Sequence, residues 1–115
     1  MKCCLETLDY GKNKVIFTEE QRQKKSAKRP ELRDDTFING RLKNAINCPN
    51  FVYQDCDRPE NRKAFYLKEY CVNGKQRYTK VVINFKQRPQ FIITAYRPDY
   101  VKERGKTKLL YGKDN

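Results

Sequence analysis

The chain has 115 residues, with 26 Lys and Arg against 14 Asp and Glu, a formal net charge of +12, and neither His nor Trp. That length suits one domain of the usual size, roughly 100 to 150 residues, and 8 Tyr with 6 Phe are more than a disordered polyelectrolyte would carry. Without His there is no Ser-His-Asp or Cys-His site, no His-ligated zinc, and no acid/base group that titrates unaided near neutral pH.

In chain order, Met1–Glu6 lacks the apolar region of a signal peptide, and no later run reaches the roughly 18 to 20 residues of a membrane span, so a cytoplasmic protein without a membrane partner is expected. Cys3, Cys4, Cys48, Cys56 and Cys71 are odd in number and show no CxxC spacing, which indicates reduced thiols and no metal or cofactor. Val15–Phe17 reads as a short strand. Thr18 followed three residues later by Gln21 resembles a capping box, opening a helix that runs to about Lys28 and stops before Pro30. Asp34, Asp35 and Thr36 offer caps for a second helix, with Phe37, Ile38, Leu42, Ala45 and Ile46 on one face and Pro49 at its end.

After Pro49 the pattern changes to strands. Phe51–Gln54 is one, and Asp55–Asn61 is a loop. Arg62–Val72 and Lys75–Phe85 flank Asn73-Gly74, a strong hairpin signal. Phe91–Arg97 is a third strand closed by Pro98, then a helical turn near Asp99–Arg104 and a last strand, Lys108–Tyr111. The expected fold is α+β, with N-terminal helices packed on a twisted antiparallel meander, as one domain over residues 1–115 with its core at about 15–111.

Pairing Val72 with Lys75 and Phe85 with Phe91 sorts the side chains by strand period. Ala64, Tyr66, Val81, Ile83, Phe85, Phe91, Ile93 and Ala95 would then lie under the helices. Lys63, Phe65, Glu69, Tyr78, Lys80, Asn84, Thr94 and Tyr96 would face the other way, with Lys80 across from Tyr96. Positive charge falls in two blocks: residues 22–33 hold 6 basic and 1 acidic side chain, and residues 61–90 hold 8 and 1. Such blocking suits a phosphate-binding face. RNA is the expected ligand, its bases stacking on Tyr and its phosphates meeting Lys and Arg. Lys63, Arg62, Tyr78, Arg77, Lys24, Lys25 and Lys28 are the candidate binding residues.

Arg29-Pro30-Glu31, the helix ending Ala45-Ile46-Asn47, Pro49-Asn50-Phe51-Val52-Tyr53, Lys80-Val81-Val82-Ile83 and above all Ile92-Ile93-Thr94-Ala95-Tyr96 carry a family resemblance. In order and spacing they resemble the phage-associated branch of the barnase, EndoU, colicin and RelE-like (BECR) nuclease superfamily, over roughly residues 15 to 111. The resemblance implies a small metal-independent ribonuclease, phage- or toxin-associated, acting on tRNA or mRNA and open to an acidic inhibitor or antitoxin protein. The phage-type pattern carries His before the Pro-Glu pair, where this chain has Arg29, so His-dependent chemistry does not transfer.

Cleavage by the RNA's own 2'-OH needs a base, a clamp on the charged phosphorane and an acid for the 5'-oxygen. Lys80 paired with Tyr96 is the leading catalytic candidate. Arg97, Arg29 and Lys63 would stabilise the phosphorane, Thr94 would orient a phosphate or the Tyr hydroxyl, and Glu31 or Glu69 are alternative bases. The alternative function is a nuclease fold that no longer cuts and binds nucleic acid or a protein partner.

Overall fold

The computed structural model describes residues 1–114, Val72 by its backbone alone. The first strand, β1 (Cys3–Leu8), has no counterpart in the sequence reading, because CCLETL lacks the β-branched run that marked β2 (Lys14–Thr18). Thr18 ends β2 and caps α1 (Glu19–Ser26), its hydroxyl accepting the Gln21 N–H at 3.1 Å. The Gln21 side chain does not complete the capping box; it donates to the Ile93 carbonyl at 2.7 Å. That bond lays α1 along the strand edge containing Ile93.

A 3-10 turn (Pro30–Arg33) follows, and then one helical run in three parts: α2 (Asp35–Phe37), a π turn (Ile38–Leu42) and α3 (Lys43–Asn47). Asp34 caps it, accepting the Thr36 N–H at 2.9 Å. Phe37, Ile38, Leu42, Ala45 and Ile46 are all buried, as their spacing demands.

The remaining strands are β3 (Phe51–Gln54), β4 (Arg62–Val72), β5 (Lys75–Asn84), β6 (Gln90–Tyr96) and β7 (Leu109–Gly112). Asn73 and Gly74 both take positive φ, 50° and 77°, as a tight primed turn between twisted strands requires. The seven strands form one sheet in the order β1-β2-β6-β5-β4-β3-β7. The expected meander is its centre, β3 to β6. The sheet as a whole is mixed, because β2 meets β6 in parallel through Val15↔Gln90 and Ile16↔Phe91. The segment expected as a helical turn near Asp99–Arg104 is a series of turns that crosses the sheet and leads into β7 beside β3.

Two bulges change which residues share a face. Val72 pairs with Lys75 as expected, but a bulge between Lys68 and Cys71 shifts the rest of β4 by one, so Tyr66 stands opposite Lys80 and Phe65 opposite Val81. One residue of slip turns every side chain over. Phe65 therefore joins the helix-side core with Phe17, Leu42, Val81 and Ile83, whereas Ala64 and Tyr66, expected under the helices, join Phe51, Tyr53, Tyr78 and Val101 in a second cluster on the opposite side. A second irregularity, between Val82 and Ile83, pairs Ile83 with Ile92. Ile92 is accordingly buried, and Phe91 and Ile93, expected under the helices, are half-buried.

Candidate nucleic-acid interface

Lys80 and Tyr96 are cross-strand partners, in the expected register. Lys80 does not lie open to a ligand. Its side chain is 3% exposed and its ammonium donates to Glu103 Oε2 at 3.1 Å, while Tyr66 donates its hydroxyl to Glu103 Oε1 at 2.6 Å. Burial, reinforced by that bond to an anionic acceptor, holds the Tyr66 phenol well above its ordinary range. The ammonium also sits 5.4 Å from the Tyr66 ring and 5.6 Å from the Tyr96 ring. The result is a closed ionic cluster beneath the turns at Val101–Arg104. Neither Glu103 nor Tyr66 is a site candidate from the sequence, where Tyr66 is expected under the helices; a lone Glu in a basic, turn-rich tail gives no signal of burial.

Above that cluster the surface is cationic. The Arg29 guanidinium stacks on the Tyr96 ring at 3.9 Å, which the chain achieves by running α1 along the β6 edge and turning at Pro30. Arg97, one residue on, projects to the helix side and lines a cleft with Arg41, Glu31, Asp34, Thr36 and Phe37. Arg77 donates to the Arg97 carbonyl at 3.3 Å, and the Tyr78 N–H donates to the Pro98 carbonyl at 3.0 Å, so the start of β5 lies against the end of β6. Arg29, Arg77 and Arg97 thus gather at one end of the sheet. None of the three has a carboxylate partner among the described residues.

The other expected residues are dispersed. Thr94 is half-buried on the Lys80 side, opposite Val82, its hydroxyl buried without a hydrogen-bond partner. Arg62 lies on that side opposite Asn84 with its Nε likewise buried and unpaired. Lys63 is turned to the helix side by the β4 shift, and its ammonium sits 5.0 Å from the Phe85 ring. Glu69, expected beside Lys80, is also on the helix side, accepting from Thr79 and pairing with Arg41 at 3.5 Å. Lys24 and Lys25 are on α1, and Lys28 is exposed just beyond it. Tyr78, expected as a stacking platform, is 5% exposed, packed against Phe51 and Tyr66, with its hydroxyl accepting from Arg104 at 3.2 Å. Its ring has no free face in this conformation.

All five cysteines are free thiols; burial, with Glu19 alongside, pushes Cys4 up to about 11. No described helix is long and apolar enough to cross a membrane. No family model, no curated protein and no solved structure matches the chain.

Proposed function

We propose that the protein is a small basic RNA-binding protein whose contact surface is the arginine-rich end of the sheet, formed by Arg29, Arg77 and Arg97. The observation that carries this reading is that three arginines without a carboxylate partner among the described residues gather at one end of the sheet, Arg29 over the Tyr96 ring and Arg77 donating to the Arg97 carbonyl. Guanidinium groups held without a carboxylate are poised for phosphate, which they clamp through two parallel N–H donors. Arg29 lies over the Tyr96 ring at 3.9 Å, a contact that restrains its side chain, so less rotamer entropy is lost when it meets phosphate. Binding then falls steeply with salt, since each neutralised phosphate releases counterion. The test is fluorescence anisotropy of a labelled single-stranded RNA over a salt series. An affinity independent of salt overturns the reading.

Metal-independent cleavage of RNA, in keeping with the resemblance to BECR nucleases, is a second reading. One arrangement favours it: Arg29, Tyr96 and Lys80 stand in contact, with a carboxylate, Glu103, beside the lysine. Against it, Lys80 and Glu103 are sealed from phosphate in this conformation, and only Tyr96 is half-buried. Incubation with RNA in EDTA discriminates: cyclic-phosphate ends that disappear in Tyr96→Phe support cleavage, and intact RNA supports binding alone. An acidic inhibitor or antitoxin would compete with RNA for the same arginines.

A further inference from the structure

The cleft beside Arg97, bounded by the 3-10 turn, the start of the second helical run and the end of β6, measures about 390 Å³, within the range of roughly 300–1,000 Å³ usual for small-ligand sites. Its lining carries both signs of charge. Arg97 and Arg41 supply guanidinium groups, Glu31 and Asp34 supply carboxylates, and Thr36 and Phe37 complete the wall. Opposite charges that share a cleft ordinarily pair. Here no ion pair joins either arginine to Glu31 or Asp34 among the described residues, and Arg97 Nε is buried without a hydrogen-bond partner. Arg41 uses its Nε on Glu69, and Asp34 uses one oxygen on the Thr36 N–H, so each keeps further donor or acceptor capacity.

A simple anion would satisfy the arginines but meet the two carboxylates as like charges. A ligand with an anion at one end and hydroxyl donors at the other satisfies both sets. We propose that this cleft is a ribonucleotide subsite of the RNA-binding surface, in which Arg97 and Arg41 hold a phosphate while Glu31 and Asp34 accept hydrogen bonds from the ribose hydroxyls. The assignment rests on the RNA-binding reading and deepens it, because acceptors at the sugar prefer RNA to DNA through the 2'-OH.

The test is an NMR titration of the full chain, labelled with nitrogen-15, using uridine 5'-monophosphate, its 2'-deoxy counterpart and inorganic phosphate. Uridine monophosphate should shift the Thr36 and Gly40 amides and the Arg97 Nε–H, and the deoxy compound and inorganic phosphate should each bind about tenfold more weakly, as loss of a hydrogen bond to a charged acceptor implies. In Glu31→Ala the two nucleotides should converge to within about twofold, and in Arg97→Gln both should weaken by about tenfold. Equal affinity of the unmodified protein for the two nucleotides overturns the subsite, and that comparison needs no variant to fold. Unshifted Thr36, Gly40 and Arg97 signals also overturn it: if labelled RNA still binds, the broader reading stands without the subsite, and if RNA does not bind, both fall.

Discussion

Lys80 and Glu103 neutralise each other at 3.1 Å with side chains 3% and 0% exposed, so removing one partner strands a charge in the interior. Lys80→Met should cost about 3–5 kcal/mol in urea unfolding, whereas Lys80→Met with Glu103→Leu should recover most of that loss. A single variant as stable as the parent would mean that the pair is solvated. Lys80 stands opposite Tyr96 as expected although the anchor assumed for that register does not hold: Phe91 pairs with Asn84 and not Phe85, and the irregularity between Val82 and Ile83 restores the expected pairing from Val82 to Lys80. Its burial was not legible in the sequence. That depends on Glu103, which lies 23 residues later in the sequence and reaches the lysine only because the turns after Pro98 cross the sheet.

Among the elements, the short β7 needs anchoring, and two features supply it. Gly112 takes φ +78°, and a Cβ there would collide with the Asn50 carbonyl oxygen. Gly112→Ala should therefore destabilise by about 2 kcal/mol or more, the left-handed strain adding to the clash, as measured by the urea midpoint. Beyond β7, Asp114 accepts from Arg104 Nε and Nη2 at 2.7 and 2.6 Å and from the Tyr53 hydroxyl at 2.7 Å.

Arg104, followed by Tyr53, holds the Asp114 carboxyl below its usual range, and burial with the same bond pushes Tyr53 up to about 12. A depressed carboxyl contributes stability above its unfolded pKa and loses it as pH falls through the folded value. Asp114→Asn should thus cost about 1–2 kcal/mol near pH 7, with the difference shrinking at about pH 3 and below. An unchanged difference at low pH would contradict the charge-assisted bond. The sequence marked the hairpin and the central strands, since Asn73-Gly74 and the β-branched runs are local signals. It concealed the β4 bulge, which leaves the turn pairing intact and flips Tyr66, Phe65 and Lys63 beyond it, and it concealed β1, which owes its place to pairing with β2.

Across the whole molecule, the +12 charge is not confined to one place: Arg29, Arg77 and Arg97 gather at one end of the sheet, and other cations, Arg33, Arg58 and Arg88 among them, also lack a carboxylate partner among the described residues. Both blocks read from the sequence contribute to that end, Arg29 from the first and Arg77 from the second, with Arg97 between them in space. The block pattern led to the expectation of a phosphate-binding face. It did not foretell which cations are free, because pairing of Arg22 with Asp35 or Arg41 with Glu69 depends on tertiary contact.

The most direct measurement of the central claim is the salt dependence of single-stranded RNA binding by the parent and by Arg29→Ala/Arg77→Ala/Arg97→Ala. The parent affinity should fall log-linearly with salt, and the slope of the triple variant should be shallower by roughly 2, as three lost phosphate contacts require. A triple variant that folds and keeps the parent's affinity and slope would contradict that claim.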